Sequence, residues 1–137
     1  MTGRLEPTNE SYAIAKLAGV MMCQAYQKQY GLNCICLIPT NLYGPGDNYH
    51  EKDSHVMPAL IRRIHHAKVT NKSEIICWGT GQPKREFLFV DDLAEASIFI
   101  LENVSSTNKF SKEKNNSSDE LINIGTGMDI SIKRLAE

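Results

Sequence analysis

One helix followed by one short apolar run limits this chain to few folds. Residues 11–30 repeat apolar side chains at helical spacing, and Gly31 follows as a C-terminal stop. Residues 34–38 then form a continuous apolar run that Pro39 ends. Such a run is typical of a strand buried on both faces of a parallel sheet. The pattern predicts half of a β-α-β unit, and so an α/β fold.

The rest of the chain predicts further alternation of helices and strands. A loop over 39–53 is rich in Gly, Pro, Asn and Asp, and a loop of that length is more often functional than accidental. Ser54 is placed to cap the helix that follows it. The predicted elements are helices over 55–68 and 93–103, strands over 74–78, 86–90 and 121–124, a flexible polar insertion over 104–120, and the start of a helix over 130–137.

Composition and charge narrow the classes of function. The net charge of −1 over 137 residues gives no sign of nucleic acid as a partner. No run is long and apolar enough to span a membrane. The four cysteines show neither C-x-x-C nor zinc-ligand spacing, so we predict no metal site and a reducing, cytoplasmic setting. They are Cys23, Cys34, Cys36 and Cys77.

Two parts of a complete dinucleotide-binding fold are not found in the sequence. No strand precedes the first helix to build the rest of the sheet. The three Gly-x-Gly pairs lack the third glycine and the strand-to-helix setting of a phosphate-binding loop. We therefore expect the chain to be an internal part of a longer protein.

Tyr12 and Lys16 lie four residues apart on the first predicted helix and so share one face. Reduction of a carbonyl places negative charge on its oxygen, and a phenol can donate the proton that neutralises this charge. A neighbouring ammonium favours the phenolate and eases the transfer. Chance often supplies such a pair, but the small residues around it leave the helix face open to a flat ligand.

Four motifs in order resemble the extended short-chain dehydrogenase/reductase family, whose members act on nucleotide sugars. Two further stretches, 39–50 and 54–63, resemble the GDP-L-fucose synthases within that family. The resemblance covers nearly the whole chain apart from the polar insertion. The four motifs are Ser-Tyr-Ala-Ile-Ala-Lys at 11–16, Pro-Thr-Asn-Leu-Tyr-Gly-Pro at 39–45, Arg-Glu-Phe-Leu-Phe-Val-Asp-Asp at 85–92 and Asn-Ile-Gly-Thr-Gly at 123–127.

The resemblance implies a fold and a set of ligands. The fold is a partial Rossmann-type doubly wound parallel sheet with part of a small α+β substrate domain. Residues 1–54 would be the later part of the cofactor domain, 55–103 substrate-domain elements and the return to the sheet, and 121–137 a strand and the start of a helix of the substrate domain. The implied ligands are NADP and a GDP-sugar, in an enzyme that forms a homodimer.

The resemblance also implies the reaction and its residues. The family epimerises GDP-4-keto-6-deoxy-D-mannose at C3 and C5, then reduces C4 with NADPH to give GDP-L-fucose. Tyr12 would donate the proton to the C4 oxygen, and Lys16 would assist it and bind the nicotinamide ribose. The residues implied to line the nicotinamide end of the cofactor are Pro39, Thr40, Asn41 and Leu42.

Four more residues match positions of the family that bind or protonate the sugar nucleotide. His55 would contact the cofactor and reprotonate the sugar, a task that suits imidazole near neutral pH; the alternative is a solvated first-turn histidine. Arg63 and Arg85 would bind the GDP-sugar, since arginine offers paired donors to pyrophosphate, although Arg85 unaided reads as a surface charge. Trp78 would also bind the substrate, with packing at a strand end as its alternative.

Two other interpretations stay open. The family's serine, its epimerisation cysteine and its glycine loop lie upstream of Tyr12, so we expect no turnover from this chain alone. It could belong to another nucleotide-sugar epimerase or dehydratase, which His55 and the stretch 54–63 argue against. It could also be a truncated, non-catalytic remnant, which the genomic sequence upstream of Met1 would decide.

Overall fold

Helices alternate with short strands along the described chain, residues 3–104 and 121–137 of the computed structural model. A short 3-10 helix at Pro7–Asn9 precedes the first long helix. The predicted insertion 104–120 lies outside the described residues apart from Val104. The helices are α1 Glu10–Tyr30, α2 Val56–Val69, α3 Val90–Asn103 and α4 Ile132–Ala136; the strands are β1 Cys36–Pro39, β2 Asn41–Tyr43, β3 Lys84–Phe89, β4 Leu121–Ile124 and β5 Asp129–Ser131.

The first helix ends where the sequence predicts. Gly31 adopts a left-handed conformation with φ of 66° and donates its backbone N–H to the Gln27 carbonyl at 2.8 Å. Glycine pays no Cβ penalty in this conformation, which makes it the usual residue just past a helix. The sequence prediction of this helix and its stop is confirmed.

A parallel strand pair establishes the α/β class. Strands β2 and β3 run parallel, with Asn41 opposite Phe87, and α2 lies between them in the chain. A parallel pair needs such a crossover, which is usually helical. Strand β5 adds antiparallel to the other edge of β3, in the order β2-β3-β5, while β1 pairs with β4 in a separate two-stranded sheet. The predicted α/β fold with a parallel sheet is confirmed.

Two strand predictions are wrong. The predicted loop 39–53 contains β2, which pairs with β3 more than 40 positions along the chain, so local composition gave no sign of it. Residues 74–78 form no strand. The Ile76 carbonyl accepts a hydrogen bond from Arg63 Nη1 at 3.2 Å, where a strand would need a neighbouring backbone.

Two finer predictions also fail. Ser54 does not cap α2, because helical backbone begins only at Val56 and His55 occupies the N-cap, without a side-chain cap. Strand β1 is not buried on both faces, since Cys36 and Leu37 are half-buried while Ile38 and Pro39 are exposed. Burial on both faces requires layers above and below the strand, and the described residues do not supply them.

The chain divides into two units, Met1–Ile38 with Phe99–Ile122, and Pro39–Ile98 with Asn123–Glu137. Helix α1 lies in the first unit, and the sheet β2-β3-β5 lies in the second. The most buried side chains of the described residues also belong to the second unit. They are Pro58, Leu60 and Ala67 from α2 and Leu88 from β3. The assignment of cofactor and substrate domains to parts of this chain stays a prediction.

Candidate functional site

Tyr12 and Lys16 lie together on the first full turns of α1. The Lys16 Nζ sits 5.3 Å from the centroid of the Tyr12 ring, and 59% of Tyr12 is exposed. A cation at this distance interacts favourably with the ring. The pair therefore presents a phenol and an ammonium side by side on an accessible helix face, in the first unit of the chain.

Arg63 and Trp78 lie together in the second unit. The Arg63 guanidinium stacks over the Trp78 ring, 4.3 Å from the ring centroid. Arg63 Nη1 also donates a hydrogen bond to the Ile76 carbonyl. Trp78 remains 73% exposed, so it is not a core residue, and the strand at whose end it was predicted to pack does not form. Both residues line an open cavity of about 840 Å³, large enough for a nucleotide.

Arg62 borders the same cavity, although helical geometry predicts that it points about 100° from Arg63. Its guanidinium is engaged elsewhere: Nη1 donates to the Tyr49 carbonyl at 2.7 Å, and Nη2 lies 3.7 Å from the Glu51 carboxylate. These contacts hold the loop before α2 to the helix. Arg62 thus forms part of the cavity wall. Arg63 is the positive charge that is stacked on Trp78 inside the cavity.

Residues 39–42 run from the end of β1 into β2. We call them the cofactor segment, after the role that the family resemblance predicts for them. The Thr40 backbone N–H donates to the Ile124 carbonyl at 3.0 Å, and Asn41 Nδ2 donates to the Glu86 carbonyl at 2.9 Å. Among the described residues, Thr40 Oγ1 is a buried side-chain oxygen without a hydrogen-bond partner. Ligands of α/β folds bind beyond the carboxyl ends of strands, which is where this segment begins.

The two remaining candidates stand apart from the cavity. His55 occupies the N-cap of α2 and is exposed, but it does not line the 840 Å³ cavity. Arg85 lies on β3 opposite Ile130, is exposed, and donates from Nη1 to the Lys84 carbonyl at 2.8 Å. The structure brings neither to the Arg63–Trp78 stack.

Sequence reasoning missed one residue with several contacts. The Glu86 carboxylate on β3 accepts hydrogen bonds from the turn that follows β4. The available signal was an acidic residue at the start of the predicted strand 86–90, directly ahead of the apolar Phe87 and Leu88. Because its partners lie about 40 positions away, spacing along the chain could not reveal them.

No group of three or more His, Cys, Asp or Glu side chains in ranges 3–104 and 121–137 is arranged to hold a metal ion. No helix in the same part of the chain is long and apolar enough to cross a bilayer. The candidate groups that the structure describes are a phenol with a neighbouring lysine, an arginine stacked on a tryptophan, and an accessible imidazole.

A sequence profile of the NAD dependent epimerase/dehydratase family matches residues 1–125. The chain therefore belongs to this family. It is 53% identical over all its residues to a probable GDP-L-fucose synthase of Oryza sativa subsp. japonica, and 48% identical to the GDP-L-fucose synthase of Escherichia coli. The chain spans 38% and 42% of the lengths of these relatives.

The fold also resembles a solved structure. A GDP-mannoheptose C4 reductase from Campylobacter jejuni with NADP bound matches 99% of this chain with a TM-score of 0.78 and 34% sequence identity. The match covers 47% of that protein. The expected Rossmann-like reductase fold is thereby confirmed.

Proposed function

We propose that this chain is part of a GDP-L-fucose synthase, which epimerises and reduces GDP-4-keto-6-deoxy-D-mannose with NADPH. The observation that carries the proposal is the identity of 48–53% along the whole chain with such enzymes from a plant and a bacterium. The accessible Tyr12–Lys16 pair supports the reductive half of that chemistry, because a phenol beside an ammonium is suited to protonate a nascent alkoxide.

The candidate residues share the tasks of the proposed reaction. His55 returns a proton to the sugar carbons during inversion at C3 and C5, and Tyr12 gives its proton to the C4 oxygen. Lys16 stabilises the phenolate left behind and hydrogen-bonds the nicotinamide ribose. Arg63 binds the pyrophosphate, Trp78 offers a flat apolar face to the sugar nucleotide, and Arg85 makes a separate contact with the GDP-sugar.

The cofactor segment fits a nicotinamide dinucleotide. A buried hydroxyl without a partner costs about 1–3 kcal/mol, and Thr40 Oγ1 is such a group. A bound amide or ribose hydroxyl at this segment supplies the missing partner. Pro39 and Leu42 are exposed and offer apolar surface beside it. When bound, NADPH supplies the hydride for C4.

The proposal is tested with the full-length gene product, GDP-4-keto-6-deoxy-D-mannose and NADPH. We expect one NADPH to be consumed per GDP-L-fucose formed, with product stereochemistry read by NMR. The 137-residue chain alone serves as the control and is expected to show no turnover. Failure of the full-length product to consume NADPH with this sugar would contradict the proposal.

A second candidate is a C4 reductase that does not epimerise, favoured by the TM-score of 0.78 to the Campylobacter jejuni enzyme. The same assay separates the two, because such a reductase would return the 4-reduced sugar without inversion at C3 or C5. The lower identity of 34% to that reductase makes it the weaker candidate.

Replacing Arg63 with Lys is expected to raise KM for the GDP-sugar about 10- to 100-fold and to leave kcat nearly unchanged. Lysine keeps the charge but loses the paired donors and the flat stack on Trp78, a loss of about 1.5–3 kcal/mol. Steady-state kinetics of the full-length gene product measure this. Arg134→Lys is the control, because Arg134 is exposed on α4 and does not line the cavity. We expect this variant to keep KM within about threefold of the parent value, and equal effects at both positions would contradict the role of Arg63.

We further propose that the enzyme is a homodimer associating through α1 and a neighbouring helix. Helix α1 carries exposed large apolar side chains among the described residues, and such a surface needs a packing partner, from the rest of the full-length protein or from a second copy. Sedimentation of the full-length gene product tests this, and a monomer at micromolar concentration would contradict it. The exposed residues include Ile14, Met21, Met22, Tyr26 and Tyr30.

A further inference from the structure

Glu86 joins three segments of the second unit. Its Oε1 accepts hydrogen bonds from the Gly127 backbone N–H at 2.7 Å and from Thr126 Oγ1 at 3.2 Å. Its own carbonyl accepts from Asn41 Nδ2 at 2.9 Å. We call these three hydrogen bonds the Glu86 clamp. They tie β3 to the turn after β4 on one side and to the cofactor segment on the other.

Gly125 lets the clamp close. A Cβ at this position would overlap Glu86 Oε1, and would lie 2.8 Å from Glu86 Cδ and 2.8 Å from Thr40 Cγ2. The turn thus passes between Glu86 and Thr40 so closely that position 125 has no room for a side chain. The backbone bond from the Thr40 N–H to the Ile124 carbonyl, at 3.0 Å, fixes the same approach.

The alternation of side chains along β3 sets the direction of the Glu86 carboxylate. Successive side chains of β3 alternate between its faces, so Glu86 points away from the face of Arg85. Across the antiparallel ladder Glu86 stands opposite Asp129, whose carboxylate is paired with Lys84 Nζ at 3.3 Å. The neighbouring lysine is therefore engaged by Asp129, and the Glu86 carboxylate is satisfied by the turn.

We propose that Glu86 is a positioning residue for the cofactor: its carboxylate holds the turn after β4 beside Thr40, in the middle of the cofactor segment. The bond from Asn41 goes to the Glu86 backbone carbonyl, so substitution of the side chain changes only the contact with the turn. The inference rests on the proposed function only in that the segment binds a nicotinamide dinucleotide. Loss of the Oε1 acceptor frees the turn from β3 and removes the wall against which Thr40 packs. The segment then samples other conformations, and the cofactor binds the ordered fraction only.

The test compares Glu86→Ala, Glu86→Asp and Glu86→Gln in the full-length gene product. NADPH affinity is measured by fluorescence titration, and order of the turn by amide hydrogen exchange at Gly127 and Thr40. Gln keeps an oxygen acceptor at the same reach, so we expect affinity within about twofold of the parent. Ala removes the acceptor and Asp withdraws it by one methylene, so we expect about tenfold weaker NADPH binding and faster exchange.

Three outcomes would overturn the inference. If Glu86→Gln weakens NADPH binding as much as Glu86→Ala, the negative charge of Glu86 matters and the position of its acceptor oxygen does not. If Ala speeds exchange at Gly127 without changing NADPH affinity, Glu86 is structural only. If the Glu86→Ala variant does not fold, the Glu86→Asp variant is used in its place. Unchanged NADPH affinity in Glu86→Asp would then refute the positioning role of Glu86. A parent protein that binds no NADPH instead refutes the proposed function, which distinguishes the two failures.

Discussion

Replacing Tyr12 with Phe is expected to slow reduction at C4 about 10²- to 10⁴-fold, the usual contribution of a positioned general acid. The change removes only the hydroxyl, so the ring beneath Lys16 Nζ, now 5.3 Å away, is retained. NADPH affinity should therefore stay within about threefold of the parent value. Single-turnover oxidation of NADPH by the full-length gene product measures the rate, and fluorescence titration measures the affinity.

Tyr26→Phe is the matched control for that variant. Tyr26 lies on the same helix, is half exposed, and its ring contacts Tyr30 with centroids 5.4 Å apart. Because this hydroxyl has no task in the proposed reaction, its removal should leave the rate unchanged. A Tyr12→Phe variant that reduces the keto sugar as fast as Tyr26→Phe would refute the proton-donor role.

Replacing His55 with Asn is expected to slow epimerisation about 10²- to 10⁴-fold while reduction persists. Asparagine fills a similar volume at the N-cap of α2, where it is also a favoured residue, so the helix should remain intact. The amide cannot exchange a proton with a sugar carbon. Deuterium incorporation at C3 and C5 in heavy water, followed by NMR, measures epimerisation separately from NADPH oxidation.

His65→Asn is the control for the histidine experiment. His65 is exposed within α2 and is expected to be a solvated side chain, so its loss should change neither step. The product of the His55 variant is expected to include sugar reduced at C4 without inversion. Unchanged deuterium incorporation in His55→Asn would remove this residue from the mechanism and favour a reductase that does not epimerise.

Local patterns predicted much of the fold. The apolar spacing of α1 and its glycine stop appear in the structure as expected, since helical hydrogen bonds join residues four apart and are encoded locally. Strand β4 also matches its predicted bounds. The predicted strand over 74–78 failed for the opposite reason: strands need partners, and Arg63 takes the Ile76 carbonyl instead.

Among the candidate residues too, contacts within one helix were predictable from the sequence and contacts between distant positions were not. Tyr12 and Lys16 were predictable as neighbours, because a spacing of four on a helix brings two side chains together wherever the helix lies. The stack of Arg63 on Trp78 joins helix α2 to the irregular backbone that follows it, between residues 15 positions apart. No periodicity encodes that contact, and resemblance to a family supplied the two residues without their geometry.

By itself, the sequence determined the α/β class, the helix that carries the tyrosine and lysine, and the reductase family that these motifs resemble. The tertiary structure alone decided which strands pair, that Arg63 stacks on Trp78, and that Glu86 holds the turn beside Thr40. The reason is physical. Helices are stabilised by contacts within a few residues, whereas sheet pairing and side-chain clusters depend on groups that only folding brings within hydrogen-bonding distance.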